Sequence, residues 1–136
     1  MDINLYDKNG MARAYISDDY NETVYLWNGH PVARIYEGRH VYGMNGKHLG
    51  WFIDSVMYNN EGERIGFTFE SCPVTVTKAP GKPEKYPADE IKARWSSPPL
   101  PGLAFVAADQ SLEEFLKQGQ IPFFKRGDLT DKPEEK

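Results

Sequence analysis

The stretch Tyr25-Leu-Trp-Asn-Gly-His-Pro-Val-Ala-Arg-Ile-Tyr36 has apolar residues on both sides of Asn28-Gly29. It reads as two short strands joined by a tight turn, since Asn-Gly accepts the positive φ that such turns require. The phrase recurs. Aligning on Gly10, Gly29, Gly46 and Gly62 gives spacings of 19, 17 and 16 residues. Four residues before each glycine stands Tyr6, Tyr25, Tyr42 or Tyr58, preceded by Leu5, Val24, Val41 or Met57. Four residues after it comes a minimal side chain, Ala14, Ala33, Gly50 or Gly66, and two further on Ile16, Ile35, Phe52 or Thr68.

Repetition at this period means a repeat architecture. Each unit is a β-hairpin, and one hairpin alone is marginal in water, so four must pack together. Asp7-Lys8-Asn9-Gly10 and Asn59-Asn60-Glu61-Gly62 suit a type I turn followed by a left-handed glycine. The Asn28-Gly29 and Asn45-Gly46 pairs are also compatible with two-residue type I′ turns. The glycine-bulge register is favoured for all four turns. It is expected to place each tyrosine on the face of the small residue and of the aliphatic residue two further on. The other register sets the small residues opposite Leu5, Val24, Val41 and Met57. Pro31 removes a backbone donor and suggests an edge position.

The phrases LYDKNGMARAYI, VYLWNGHPVARI, VYGMNGKHLGWF and MYNNEGERIGFT resemble the bacterial 4-fold β-flower family over residues 1 to about 70. The segment SLEEFLKQG is similar to one in such proteins. The resemblance implies a pseudo-four-fold arrangement of hairpins and carries no catalytic residue set. The expected fold class is mainly β: four tandem hairpin repeats over 1–72, then an extension at 73–124 with one short helix, and a frayed tail at 125–136.

Composition changes at that boundary. Nine of ten prolines follow residue 72, and seven of eight tyrosines precede it. Val74 to Thr77 alternates like a last strand, and the prolines after it read as an extended crossing segment. Leu103 to Ala108 is apolar enough for burial as a returning strand. Ser111-Leu-Glu-Glu114 is a capping box, opening a helix that runs to about Gln118 and stops at Gly119. Leu112, Phe115 and Leu116 share its apolar face, and Phe123-Phe124 offer a final anchor. From Lys125 the apolar content is too low to order the chain. The Arg126-Gly127-Asp128 tripeptide is read as incidental.

Sixteen basic against 20 acidic side chains give a net charge of −4, the wrong sign for a protein that neutralises phosphates. Nucleic acid is therefore not an expected partner. The lone Cys72 excludes an intrachain disulfide. No run approaches the 18 apolar residues of a membrane span, and the first residues lack signal-peptide character, so a cytoplasmic location is expected.

Chemistry-bearing motifs are sparse. No nucleophile elbow, phosphate loop or dinucleotide fingerprint occurs. Cys72, beside Pro73 with no basic cluster, reads as a tolerated thiol. His30, His40 and His48 have no metal-ligand spacing and are expected at solvent-exposed turns, so neither metal nor cofactor is anticipated. Arg13 and Arg64 are expected to pair with surplus carboxylates. Tyr15, Trp51 and Phe67 share one repeat position, five after the glycine, where the second repeat has Arg34. With Trp27 they lie off the tyrosine stripe, and if open they form an aromatic platform for a sugar ring or a protein. If the extension folds over them they become a second core, the favoured reading. The candidate ligand-binding set is thus Trp27, Trp51, Tyr15, Phe67, Arg34 and His48, in a non-enzymatic module whose partner is a protein or small molecule. The alternatives are an enzyme using His48 and Asp54 between hairpins, or a carbohydrate binder, since aromatic hairpins with Asn-Gly turns are similar to cell-wall-binding repeats. An exposed hairpin edge would leave pairing with a second copy open.

Overall fold

A computed structural model describes residues 1–88 and 91–121. Eight strands follow one another around a closed antiparallel barrel: β1 Ile3–Tyr6, β2 Ala12–Ile16, β3 Thr23–Leu26, β4 Pro31–Tyr36, β5 His40–Gly43, β6 His48–Ile53, β7 Val56–Asn59 and β8 Arg64–Phe67. Pairing of Tyr6 with Phe67 closes the ring between β1 and β8. The β1–β2, β3–β4, β5–β6 and β7–β8 pairs are the four hairpins of the repeat.

All four turns take the glycine-bulge form. Gly10 donates to the Asp7 carbonyl at 2.9 Å while Asp7 donates to the Met11 carbonyl, and the same pair of bonds recurs at Gly29, Gly46 and Gly62. Each of these glycines has φ between 82° and 96°.

The faces, however, are the reverse of those expected from that register. Leu5 lies opposite Ala14 and Tyr6 opposite Ala12, so Arg13 is a second extra residue in the hairpin. Val32, Leu49 and Ile65 repeat this irregularity. One added residue flips the alternation. The small residues therefore join Leu5, Val24, Val41 and Met57 inside the barrel, and the tyrosines turn outward. Pro31 is not at an edge. It opens β4 opposite Tyr25, where a strand tolerates the missing donor. Closure also removes the strand edge on which pairing with a second copy through the hairpins would depend.

The interior is filled from above by the one helix among the described residues, α1, Leu112–Lys117. The Ser111 hydroxyl accepts from the Glu114 amide at 3.1 Å, as the capping box requires. Leu112, Phe115 and Leu116 are buried in the barrel core. A Cβ on Gly50 would meet the Phe115 ring at 3.0 Å, and one on Gly66 would meet Leu112 at 2.9 Å. The small residues thus leave room for the side chains of α1. Gly119 follows the helix against Gly43, too close for a side chain on either.

The extension forms no strand of the barrel. Val74–Thr77 is extended chain, and 103–108 contributes one bridge, Ala107 to Arg64. Nor is that apolar stretch buried as expected, for Phe105 is 89% exposed, packed on the Arg64 guanidinium. Phe123-Phe124 and everything from Lys125 onward lie outside the described residues.

What the extension does instead is encircle the hairpin tips. Thr77, Tyr86, Trp95 and Ala104 donate their backbone N–H groups to the carbonyls of Gly10, Gly29, Gly46 and Gly62 at 2.9, 3.0, 2.9 and 3.0 Å. The donors are nine residues apart. Nine extended residues reach about 30 Å, enough to pass from one tip to the next. Two positions before each donor, Thr75, Glu84, Ala93 and Gly102 set a carbonyl where a glycine Cβ would stand. The extension is a strap with its own four-fold period.

Candidate functional site

The outward faces carry the residues singled out from the sequence. Each repeat tyrosine lies opposite the residue five past the preceding glycine: Tyr25 opposite Tyr15, Tyr42 opposite Arg34, Tyr58 opposite Trp51 and Tyr6 opposite Phe67. Three of the four couples are wholly aromatic, and Arg34 breaks the ring.

The strap runs over this ring. Tyr15, Trp51 and Phe67 are 0%, 2% and 2% exposed, and Trp27 and Arg34 are half-buried. Cationic side chains of the strap occupy the ring faces. Lys82 stands 4.4 Å from the Tyr15 centroid and 5.2 Å from Trp27. Lys85 lies 5.2 Å from Tyr25, and the Arg94 guanidinium 3.8 Å from Tyr36. Such placements are attractive through the ring quadrupole. Burial first, then the nearby Asp2 and Tyr25, raises the Tyr15 hydroxyl above its usual range. Trp51 and Phe67 join Val56 and Tyr58 in a second buried cluster, while the apolar residues of α1 pack inside the barrel rather than on this face.

The candidate residues fall into two groups. Tyr15 and Trp27 pack edge to face at 5.7 Å in the first quarter. In the third, the His48 and Trp51 rings lie 5.0 Å apart, with Tyr42, the partner of Arg34, at 4.9 Å from His48. Phe67, opposite Tyr6, packs with Trp51 through Val56 and Tyr58.

His48 is not at an exposed turn: it is 5% exposed, and its Nε2 is 3.1 Å from Nδ1 of His40. Tyr42 faces His48 across the hairpin, so His40, two residues from Tyr42, joins them on the outer face. Spacing in the chain hid this pair; the bulged register reveals it. Burial, then the charge of His40, holds the His48 pKa down to about 4. His30 is half-buried, with its ring 4.2 Å from Tyr86 of the strap and its Nδ1 3.3 Å from the Gln120 amide nitrogen. Asp54 does not meet His48. It sits in the turn beyond the far end of β6, about 20 Å along the strand, so the two form no constellation.

Arg13 donates to the Asp7 carboxylate at 2.9 Å, while Arg64 donates to the strap carbonyl of Ala104 at 3.1 Å. Cys72 is half-buried with its thiol 3.6 Å from the Asp7 carbonyl. Among the described residues no three His, Cys, Asp or Glu side chains cluster as a metal would need, and no helix is long and apolar enough to cross a membrane.

Where Arg34 interrupts the ring, an open cleft of about 550 Å³ remains. Tyr36 and Tyr42 line it with Arg34 and Arg94, and Glu22 and Glu37 with the fully exposed Tyr20 form its rim. Both glutamates have positive φ, 50° and 53°, a conformation costly for a residue with a Cβ. Sequence reading missed Tyr20, Tyr36 and Arg94 because none occupies a repeat position.

Among curated proteins and solved structures, none matches the chain significantly. The family model described as 4-fold beta flower protein matches residues 3–116, taking in the strap and α1 as well as the hairpins. The chain belongs to the 4-fold beta flower family.

Proposed function

We propose that this protein is a non-enzymatic binding module whose ligand enters the cleft between the second and third hairpins. The observation that carries this reading is the open cleft of about 550 Å³ that remains where Arg34 interrupts the aromatic ring, lined by Tyr36, Tyr42 and Arg94. Of the residues singled out from the sequence, Arg34 lines the cleft directly. His48 packs against its Tyr42 wall with Trp51 behind, while Tyr15 and Trp27 lie beneath the strap lysine Lys82 and Phe67 lies in the buried cluster of Trp51, all three serving as framework. Aromatic walls beside both charge signs suit a small polar ligand that also offers an apolar face, such as a sugar or an amino-acid derivative.

The test is a thermal-shift screen of the full chain against sugars, amino acids, nucleotides and short peptides. A ligand at a hundred times its dissociation constant adds about 2.7 kcal/mol, roughly 10 °C for a chain of this size. The shift should vanish in Tyr36→Ala, whose side chain is partly exposed. No shift across the panel, or an undiminished shift in that variant, overturns the assignment.

A further inference from the structure

The His40–His48 pair does not line the cleft and is not a feature of the repeat. The equivalent positions hold Asn4, Thr23 and Val56 for His40, and Ala12, Pro31 and Arg64 for His48. We propose that this pair is a proton-operated latch that releases the third quarter of the strap, residues 92–97, on acidification while the barrel stays folded. The latch works whether or not the cleft takes a ligand.

The geometry supports it in three ways. First, the ring nitrogens stand 3.1 Å apart, a separation that holds one shared proton and is repulsive once both rings are cations. Second, the His48 Nδ1 is buried and faces no hydrogen-bond partner. A protonated His48 would carry a donor there whose one near acceptor, the Asn60 side chain, raises its pKa less than burial and the charge of His40 lower it. Third, the surroundings favour the neutral pair. Arg39, just before β5, lies 5.2 Å over Trp51, and Arg94 of the strap lies 5.9 Å from Tyr42. From β4, Tyr36 adds a neutral phenol and Glu37, after that strand, the one carboxylate acting on His40. From β7 and its turn come Tyr58, paired with Trp51, and the Asn60 amide, which donates to the His48 carbonyl. Burial, then Arg39, lowers the His40 pKa, with Glu37 opposing.

The same cluster holds the strap. The Tyr42 hydroxyl donates to the Trp95 carbonyl at 3.0 Å, and the Ser97 hydroxyl lies 3.5 Å from Nδ1 of His40. Trp95 in turn donates to Gly46 and Lys92 to Met44. When the pair takes its second proton, the rings must part and His48 must seek water. The cover beside them that carries no ladder bond of the barrel is the strap, held to this cluster through Tyr42 and His40.

Hydrogen exchange of the full chain at pH 7 and pH 4, expressed as protection relative to intrinsic rates, tests the latch. Protection at the Lys92 and Trp95 amides should fall at least tenfold at pH 4, reversibly, while strand amides stay protected. His40→Gln, at a half-buried position, and His48→Gln each leave at most one titrating ring, and both should hold protection at pH 4. Unchanged protection in the wild type, an equal loss in His40→Gln, or simultaneous loss throughout the barrel would each overturn the proposal.

Discussion

Substituting alanine for Gly46 and separately for Gly38 isolates what the strap contributes at a hairpin tip. Both glycines have positive φ, 90° and 74°. They differ in what a Cβ would meet: at Gly46 the Ala93 carbonyl occupies its place, and at Gly38 nothing lies within 4 Å. Gly38→Ala therefore incurs only the left-handed backbone penalty, about 1 kcal/mol. Gly46→Ala incurs that penalty and also displaces the strap. The 2.9 Å bond from Trp95 to Gly46 is then lost, and its partners are left without replacement. Such a bond contributes about 1 kcal/mol net, and an unmet buried group costs about 1–3 kcal/mol. The expected total is about 3–5 kcal/mol. At roughly 3–5 °C per kcal/mol for a chain of 136 residues, Gly38→Ala should lower Tm by about 4 °C and Gly46→Ala by more than 10 °C. Asparagine tolerates positive φ, so Gly38→Asn should recover most of its loss while Gly46→Asn should not. Urea melts of the four variants read this directly. Equal costs at the two sites would show that the strap is not seated on the tips, and the encircling arrangement would fail with it.

Phe115→Ala should cost about 3–5 kcal/mol by urea denaturation, because the ring is fully enclosed beside Gly50 and removing it empties the barrel mouth. Ser111→Ala deletes the cap on the Glu114 amide and should cost about 1 kcal/mol in the same assay, with Ser111→Asp restoring it. Stability should also fall below neutral pH. Above the unfolded histidine pKa near 6.5 both states hold a neutral His48, so it adds no slope; between there and about 4 the unfolded chain takes up a proton that the folded one refuses. The folded state thus loses at most about 3 kcal/mol as pH falls through that window, a loss that His48→Gln should abolish.

The hairpins were legible because their information is local. A glycine at a fixed distance from a tyrosine specifies a turn, and four copies specify a ring. The face assignment went astray through one residue per hairpin. Arg13, Val32, Leu49 and Ile65 share no side-chain type, since a bulge is a backbone irregularity that many residues accommodate. The strap was invisible for a related reason. Its four bonds are made by peptide N–H groups on Thr77, Tyr86, Trp95 and Ala104, so its nine-residue period leaves no mark on composition. The helix could be read to within a residue because capping is a side-chain device, and Ser111 and Glu114 advertise it. The His40–His48 contact needed the bulged register, and the cleft needed both that register and the strap's path.

The two four-fold systems constrain different parts of the molecule, and this bears on where function can reside. The barrel needs its small residues inside to admit α1, and its tip glycines bare to admit the strap. Neither demand fixes the strap's own side chains, because its anchorage is through the backbone. The residue before each donor is Val76, Lys85, Arg94 or Leu103, which is variation a purely structural belt would tolerate. Departures from symmetry concentrate where the second and third hairpins meet. Arg34 replaces an aromatic residue, Arg94 reaches across Tyr36, the two histidines meet at 3.1 Å, and the cleft lies open beside them. The quarter that departs furthest from the repeat is therefore where we place the binding cleft and the latch beside it.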